Sequence, residues 1–260
     1  EIYNLAAQSH VKISFQIPEY TSDVNAMGPL RLLEIIRHYK KKKIKFYQAS
    51  SSEMFGKSKP PQNENTLFQP RSVYAISKVF AYHSVIHYRE AYNLHACNGI
   101  LFNHESPRRG VNFVTKKIVQ GLTRIKQGKQ KNLILGNLYS RRDWGHAKDY
   151  VESMWKILQQ KNPDDFVVAT RTSHSVKDFI NICAKKLGIK LLWKNKGLKE
   201  VGIDKSNDKI IIRIDKKYFR ETEVDDLIGD FSKAKKLLKW QPKYSFNKLV
   251  DDMIEKEKYE

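Results

Sequence analysis

The run IKFYQAS, residues 44–50, is apolar and β-rich without strict alternation, and it opens directly into the cluster SSSEMFG, residues 50–56. A continuous apolar run of this length suits a strand buried on both faces, as in a parallel sheet covered by helices. Two further runs have the same character, IYNLAA at 2–7 and ACNGILFN at 96–103. Between the three lie helical patterns, GPLRLLEIIRHY at 28–39 and YAISKVFAYHSVIHYREAY at 74–92. Strand, helix, strand, helix, strand is the rhythm of a parallel sheet. The expected fold class is α/β, with a partial doubly wound, Rossmann-like sheet. Ligands of such sheets bind beyond the carboxyl ends of the strands, so residues 6–9, 49–53 and 103–109 should converge on one crevice.

After Asn103 the rhythm changes. The loop HESPRRG leads to a helix at 112–128, a short strand NLILGN at 132–137, an irregular LYSRRDWGH at 138–146 and a helix at 147–160. DFVVAT, 165–170, reads as a strand returning to the main sheet. Smaller elements follow: a helix at 175–189, KLLWKN at 190–195, KIIIRI at 209–214, the segment 216–230, and late helices from Ser232 and Phe246. The expected division is a cofactor-binding part at 1–110, with 146–172 returning to it, and a smaller α/β substrate domain at 111–260.

The chain carries 48 Lys and Arg against 28 Asp and Glu, a formal charge of +20. Such a balance invites a nucleic-acid reading. Its distribution argues against one, because the lysines of HYKKKKIKF, IKQGKQKN and SKAKKLLKW are scattered over polar faces and helix ends, outside any nucleic-acid module. A solvated surface and attraction to an anionic small molecule remain. No apolar run reaches membrane-spanning length and the N-terminus lacks the plan of a signal peptide, so no membrane role and a cytoplasmic location are expected. Cys97 and Cys183 stand apart, without metal-type spacing, and read as two buried thiols with neither disulfide nor zinc.

Tyr74 and Lys78 lie four apart and so share a helix face. An ammonium beside a phenol favours the phenolate and prepares the tyrosine to take a hydroxyl proton. The pair alone is also a commonplace of protein surfaces. Ser50, Ser51, Ser52 and Glu53, at the end of the preceding strand, are turn or cap material on one reading. On the other they bring a carboxylate beside the Tyr/Lys pair, with its pKa raised so that it serves as base and acid. Asp143 reads as a helix cap or an arginine partner, His146 as structural, and Trp144, Trp155, Trp193 and Trp240 as packing.

EIYNLAAQSHV, YQASSSEMFG, PRSVYAISK, NGILFNHESPRRG, NFVTKKI, RRDWGHAKDYVE and YFRETEVD together resemble the GDP-mannose 4,6-dehydratase family of extended short-chain dehydrogenases/reductases. The motifs run in that family's order from residue 1 to about residue 226. The resemblance implies NADP as cofactor and GDP-mannose as substrate, in the first step of GDP-deoxyhexose synthesis. It assigns catalysis to Ser51, Glu53, Tyr74 and Lys78, with serine at 51 where the family usually has threonine. Cofactor contacts fall on Leu5, Ala6, Ala7, Gln8, Ser9, Tyr20, Lys78, His104 and Arg109. Substrate contacts fall on Asn103, Asn112, Lys117, Arg142, Arg220 and Glu223. No metal is implied; a homo-oligomer, dimer or tetramer, is, with Arg108 at its interface. The competing readings are another nucleotide-sugar epimerase or dehydratase, and a fragment that binds a nucleotide sugar or a homologous subunit without turnover.

No G-x-x-G-x-x-G or G-x-G-x-x-G occurs in these 260 residues. A complete doubly wound domain would place two further βα units before residue 1, roughly 60 to 80 residues at about 30 per unit. Two expectations follow, a fold without that loop or a C-terminal portion of a longer one. A dinucleotide's pyrophosphate ordinarily rests on such a loop and the helix behind it. The 260-residue chain should therefore bind NADP weakly in a fluorescence titration, and micromolar affinity would contradict this.

Overall fold

A computed structural model describes residues 1–39 and 43–257; the lysine run at 40–42 and the last three residues lie outside the described part. In chain order the strands are β1 (Ile2–Asn4), β2 (Lys45–Ser51), β3 (His95–Leu101), β4 (Asn103–Glu105), β5 (Leu133–Leu135) and β6 (Arg141–His146). They continue with β7 (Phe166–Val168), β8 (Ser173–Ser175), β9 (Leu191–Lys194), β10 (Val201–Asp204), β11 (Lys209–Ile214) and β12 (Asp226–Leu227). The helices are α1 (Pro18–Ser22), α2 (Gly28–His38), α3 (Val73–Tyr92), α4 (Val114–Lys126), α5 (Ala147–Gln159), α6 (Val176–Lys186), α7 (Ser232–Leu238) and α8 (Phe246–Glu257).

The first sheet has the order β1-β2-β3-β7, parallel throughout. It is the predicted βαβαβ unit, and DFVVAT does return to it. Helices cover both faces. On one, Phe46 and Ala96 pack with Leu33 and Ile36 of α2 and Val85 and Tyr88 of α3. On the other, Tyr47, Cys97 and Leu101 pack with Tyr150, Met154 and Ile157 of α5 and with Trp240. Burial on both faces is why these strands read as unbroken apolar runs.

Local signals set the helix that matters most. Ser72 caps α3 by accepting a hydrogen bond from Ala75 N at 3.1 Å, and Asn93 ends it in the left-handed region at φ 52°. Both are residue types favoured at those positions. The helical stretch before β2 is longer than its apolar pattern suggests. It starts at Pro18 and runs through a π turn at Asp23–Met27 into α2.

A second core joins α4, α6 and α8 to a sheet of order β5-β11-β10-β9, around Ile118, Phe179, Ile212 and Met253. β10 escapes the sequence reading because its VGID is short and half polar. Residues 231–240 pack on the first core through Ala234, Leu238 and Trp240, so the chain crosses between the two layers once more than a division at residue 110 implies. Cys97 and Cys183 are buried in different cores as free thiols. Trp144 and Trp240 are packed, but Trp155 is 56% exposed, contrary to its reading as packing. No described helix is long and apolar enough to cross a membrane.

The stretch 138–146, read as irregular, contains β6. This strand pairs parallel with β4 and β12 and antiparallel with β8, so it ties the layers together. Asp143, at its centre, caps no helix and, among the described residues, pairs with no arginine side chain. Its carboxylate accepts from Thr170 N (2.8 Å), Thr170 Oγ1 (2.6 Å), Arg171 N (2.8 Å) and Gly229 N (3.3 Å). Burial pushes its pKa up to about 6 against the pull of those donors. His146 is structural as expected: Nδ1 accepts from Lys148 N at 3.1 Å, capping α5, while Nε2 lies 3.4 Å from Asp252 Oδ2. Replacing Asp143 by Ala strands several buried donors and should cost about 3 kcal/mol. The expected readout is a lower urea midpoint at unchanged slope; a loss under about 0.5 kcal/mol, ordinary for a surface change, would deny Asp143 this role.

Candidate active site

The carboxyl ends of β1, β2 and β3 open into one cleft of about 1060 Å³. The segments 6–9, 49–53 and 103–109 all contribute to it, as the parallel sheet predicts. Opposite them stand α4, the turn after β5, β6 and residues 217–223 from the second layer. The lining holds seven lysines and arginines against three glutamates. A cleft of that sign concentrates anions.

β2 delivers the chemistry. Ser51 closes the strand and caps the turn at Ser52–Met54, accepting from Glu53 N at 3.2 Å. The serine cluster thus caps a turn and lines the cleft at once. Glu53 is buried, 8% exposed. Its Oε1 lies 3.3 Å from Arg220 Nη1 and 3.7 Å from Arg142 Nη2. Burial is the largest influence on its pKa and pushes upward, but Arg220 and Arg142 together outweigh it and hold the carboxyl below its ordinary value. This is opposite to the direction expected from the local sequence, in which nothing marks that two distant arginines converge on this carboxylate.

Tyr74 and Lys78 are side by side on α3, with Lys78 Nζ 6.0 Å from the tyrosine ring centre. Both are almost fully buried. Lys78 Nζ donates to Ala49 O at 2.9 Å, and burial lowers its pKa to about 8. The Tyr74 pKa is raised, chiefly by burial and further by Glu53, with the Ser51 hydroxyl and Arg109 pulling the other way. The expected net acidification of Tyr74 is therefore not present: burial dominates, while the Lys78 ammonium donates to the Ala49 carbonyl.

Of the residues assigned to a cofactor, Leu5, Ala7, Ser9, Lys78, His104 and Arg109 line the cleft; Ala6, Gln8 and Tyr20 do not. Gln8 is held by Asn25, whose Oδ1 accepts from Gln8 N at 2.8 Å, and Tyr20 is 60% exposed on α1. His104 Nδ1 faces the Phe102 carbonyl at 2.9 Å, so it must donate, which leaves Nε2 an acceptor on the neutral ring that burial favours. Arg109 stacks over Phe113 at 3.6 Å, with Nε 3.0 Å from Glu105 Oε2. All six residues assigned to a substrate, Asn103, Asn112, Lys117, Arg142, Arg220 and Glu223, line the cleft. Lys117 Nζ sits 3.8 Å over the Tyr218 ring. Glu223 accepts from Arg220 N at 3.1 Å and from Ser140 Oγ at 3.2 Å. Arg108 is exposed outside the cleft.

His10, Lys12, Lys217 and Tyr218, assigned no role from the sequence, also line the cleft. His10 and Tyr218 lie within motifs quoted above and Lys12 and Lys217 adjoin them, so position in or beside a motif was the available signal. Among the described residues no cluster suited to a metal ion occurs.

A family model described as GDP-mannose 4,6 dehydratase matches residues 1–253. A Dictyostelium discoideum protein named GDP-mannose 4,6 dehydratase is 54% identical over 99% of this chain and 73% of its own length. One from Arabidopsis thaliana is 55% identical over 99% and 67%, and one from Vibrio cholerae 52% over 98% and 72%. The chain thus spans about two thirds to three quarters of their lengths. Among solved structures, RMD from Pseudomonas aeruginosa complexed with NADPH superposes with a TM-score of 0.84 at 20% identity, over 99% of this chain and 80% of that one. A dTDP-glucose 4,6-dehydratase from Bacillus anthracis in complex with NAD gives 0.77 at 22%, over 100% and 73%. At those identities the superpositions establish a shared fold.

The low pKa of Lys78 is open to direct measurement. Its Nζ resonance in lysine-detected NMR, assigned with Lys78→Met, should titrate near pH 8, where surface lysines stay charged. Titration above pH 10 would show that the ammonium is solvated.

Proposed function

The chain belongs to the GDP-mannose 4,6-dehydratase family, and on that basis we propose that it converts GDP-mannose to GDP-4-dehydro-6-deoxy-mannose, with NADP as a recycled cofactor. The observation that carries this reading is the meeting of Ser51, Glu53, Tyr74 and Lys78 on one wall of a cationic cleft. That cleft has the charge for a diphosphate and the acid/base groups for an elimination. Lys117, Arg142, Arg220 and Glu223 on the facing wall are the proposed contacts for the nucleotide sugar, with Asn103 and Asn112 beside them.

The residues also fit a nicotinamide dinucleotide. Lys78 is 3% exposed and among the described residues donates to Ala49 O, so further N–H groups are available to ribose hydroxyls. Leu5, Ala7, Ser9, His104 and Arg109, which line the same cleft, complete the proposed binding set. When bound, the dinucleotide supplies hydride acceptance at C4 and hydride return at C6.

The chain's own groups handle the protons. Tyr74 must first lose its own proton, which Ser51 and Arg109 favour against its burial; as phenolate it takes the proton of the sugar 4-hydroxyl while the 4-ketone forms, and returns to phenol. The ketone acidifies C5–H. Glu53 removes that proton and passes it to the departing 6-hydroxyl, which leaves as water. C5 then regains a proton from an exchangeable acid, so the product formed in D2O carries deuterium at C5. The functional unit is proposed to be a homo-oligomer, a reading supported by the exposed Ile76 (56%) and Phe80 (45%) on α3, and its location is proposed to be the cytoplasm.

Glu53→Gln keeps the shape of the side chain and removes the base. In an enzyme completed with a glycine-rich cofactor loop and given GDP-mannose and NADP, this variant should lose roughly a thousandfold or more in dehydration rate, within the range general acid/base groups contribute. GDP-mannose binding by calorimetry should be no weaker than that of the parent. Dehydration near the parent rate in the variant would sink the assignment.

A further inference from the structure

The two arginines on Glu53 are held in different ways. Arg142 lies on β6, 6% exposed, and its Nη1 donates to Arg141 O and to Val224 O, both at 2.8 Å. Those two carbonyls fix the guanidinium in the wall, with Nη2 left facing Glu53. Arg220 lies in an irregular stretch between Phe219 and β12. Its side chain is 27% exposed, and among the described residues its guanidinium has no recorded acceptor other than Glu53 Oε1 and Oε2, at 3.3 and 3.5 Å. One carboxylate therefore faces two cations, one immobile and one tethered only by that carboxylate.

Resting on the GDP-mannose reading, we propose that Arg220 is an exchangeable counter-ion of Glu53, drawn off by the diphosphate of the arriving sugar nucleotide, while Arg142 remains as its permanent partner. Arg220 is a substrate-binding residue in this scheme, and Arg142 acts on the reaction through Glu53 from its fixed place in the wall. The diphosphate offers more charge than one carboxylate, and Lys117 and Lys217 of the same cleft draw it toward Arg220. Arg142 cannot follow without abandoning two backbone carbonyls in a buried wall, a loss that costs more than a surface contact returns.

The consequence falls on the chemistry. With both arginines in place Glu53 is a weak base, held low by their charge against its own burial. Removing one cation leaves that burial less opposed, and the carboxyl moves toward the range in which it can take a proton from C5 and give it up again. The other groups facing this cluster do not replace Arg220. Tyr74 lies beside Glu53 as a neutral phenol favoured by burial, Arg109 acts on Tyr74, and Glu223 and Asp226 act on Arg142. The nucleotide thereby arms the base only when a diphosphate is seated, and a free hexose would meet a disarmed carboxylate.

The test needs no turnover. Protein labelled with 13C at glutamate Cδ, with Glu53 assigned by Glu53→Gln, gives the Glu53 pKa by NMR with and without GDP. GDP should raise it by roughly one pH unit or more, the effect of losing one close opposite charge. In Arg220→Met the pKa should already be raised and GDP should add nothing. In Arg142→Lys, which keeps a cation on β6, GDP should still raise it. Glu53→Gln should bind GDP several-fold tighter than the parent, because no ion pair has to open first. GDP that binds without moving the Glu53 titration, or Glu53→Gln that binds it no more tightly, overturns the proposal while leaving the GDP-mannose reading standing. A Glu53 shift produced by UDP or dTDP but not by GDP supports the exchange and overturns the substrate assignment instead.

Discussion

A carboxylate taken out of water has to be met by opposite charge, and the burial of Glu53 imposes that condition on the whole molecule. Its partners cannot come from the parallel sheet that presents it, because neighbouring strand ends offer hydroxyls, backbone and the Tyr74/Lys78 pair. Both arginines arrive from the far side of the cleft, one on β6 and one just before β12. The second layer must therefore sit against the first with its β6 face inward. Stranding the buried carboxylate without any cation would cost about 3–5 kcal/mol, so at least one arginine has to stay on Glu53, and Arg142, fixed by two backbone carbonyls, is placed to do so. The Asp143 carboxylate, one residue along β6 from Arg142, fixes the same strand to 170–171 and 229.

The elements with one dominant local pattern were legible in the sequence. β2, β3, α3 and the late helices show their period over enough residues to overcome ambiguity, and a strand buried on both faces has a plain apolar signature. β6 was not legible, for a physical reason. RRDWGH carries two arginines, an aspartate and a histidine because it is an interior strand whose side chains do ionic work in a cleft and at a seam. Local propensity describes the pleated, half-buried surface of an ordinary strand, and functional strands depart from it.

The same division runs through the site. Which residues gather at the cleft could be read from motif order, and fifteen assigned positions from Leu5 to Glu223 do line it. How they act on one another could not. Tyr74 was expected to be acidified by Lys78 and Glu53 to be raised by its surroundings; the cleft gives each the opposite direction. A pKa depends on distances of a few ångströms and on competition for the same donor. Lys78 answers to the Ala49 carbonyl and Glu53 to arginines 89 and 167 residues further along, none of which the spacing of Y-x-x-x-K encodes.

The net charge of +20 is a weaker guide than its few buried members. Lysines on exposed helix faces act through water, and beyond about 8–10 Å salt screens them, so most of the excess adds little at any one point. Inside the cleft the dielectric is lower and the cations share walls only a few ångströms apart. There an imbalance of seven to three sets both which ligand enters and what the carboxylate it meets can do. The arginine fork adds what lysine cannot, because a planar guanidinium can grip a carboxylate or a phosphate with equal geometric fit. Exchange of one anion for the other at Arg220 is therefore a low-cost rearrangement, and it links the binding of a substrate's remote charged end to the protonation of the group at its reacting end.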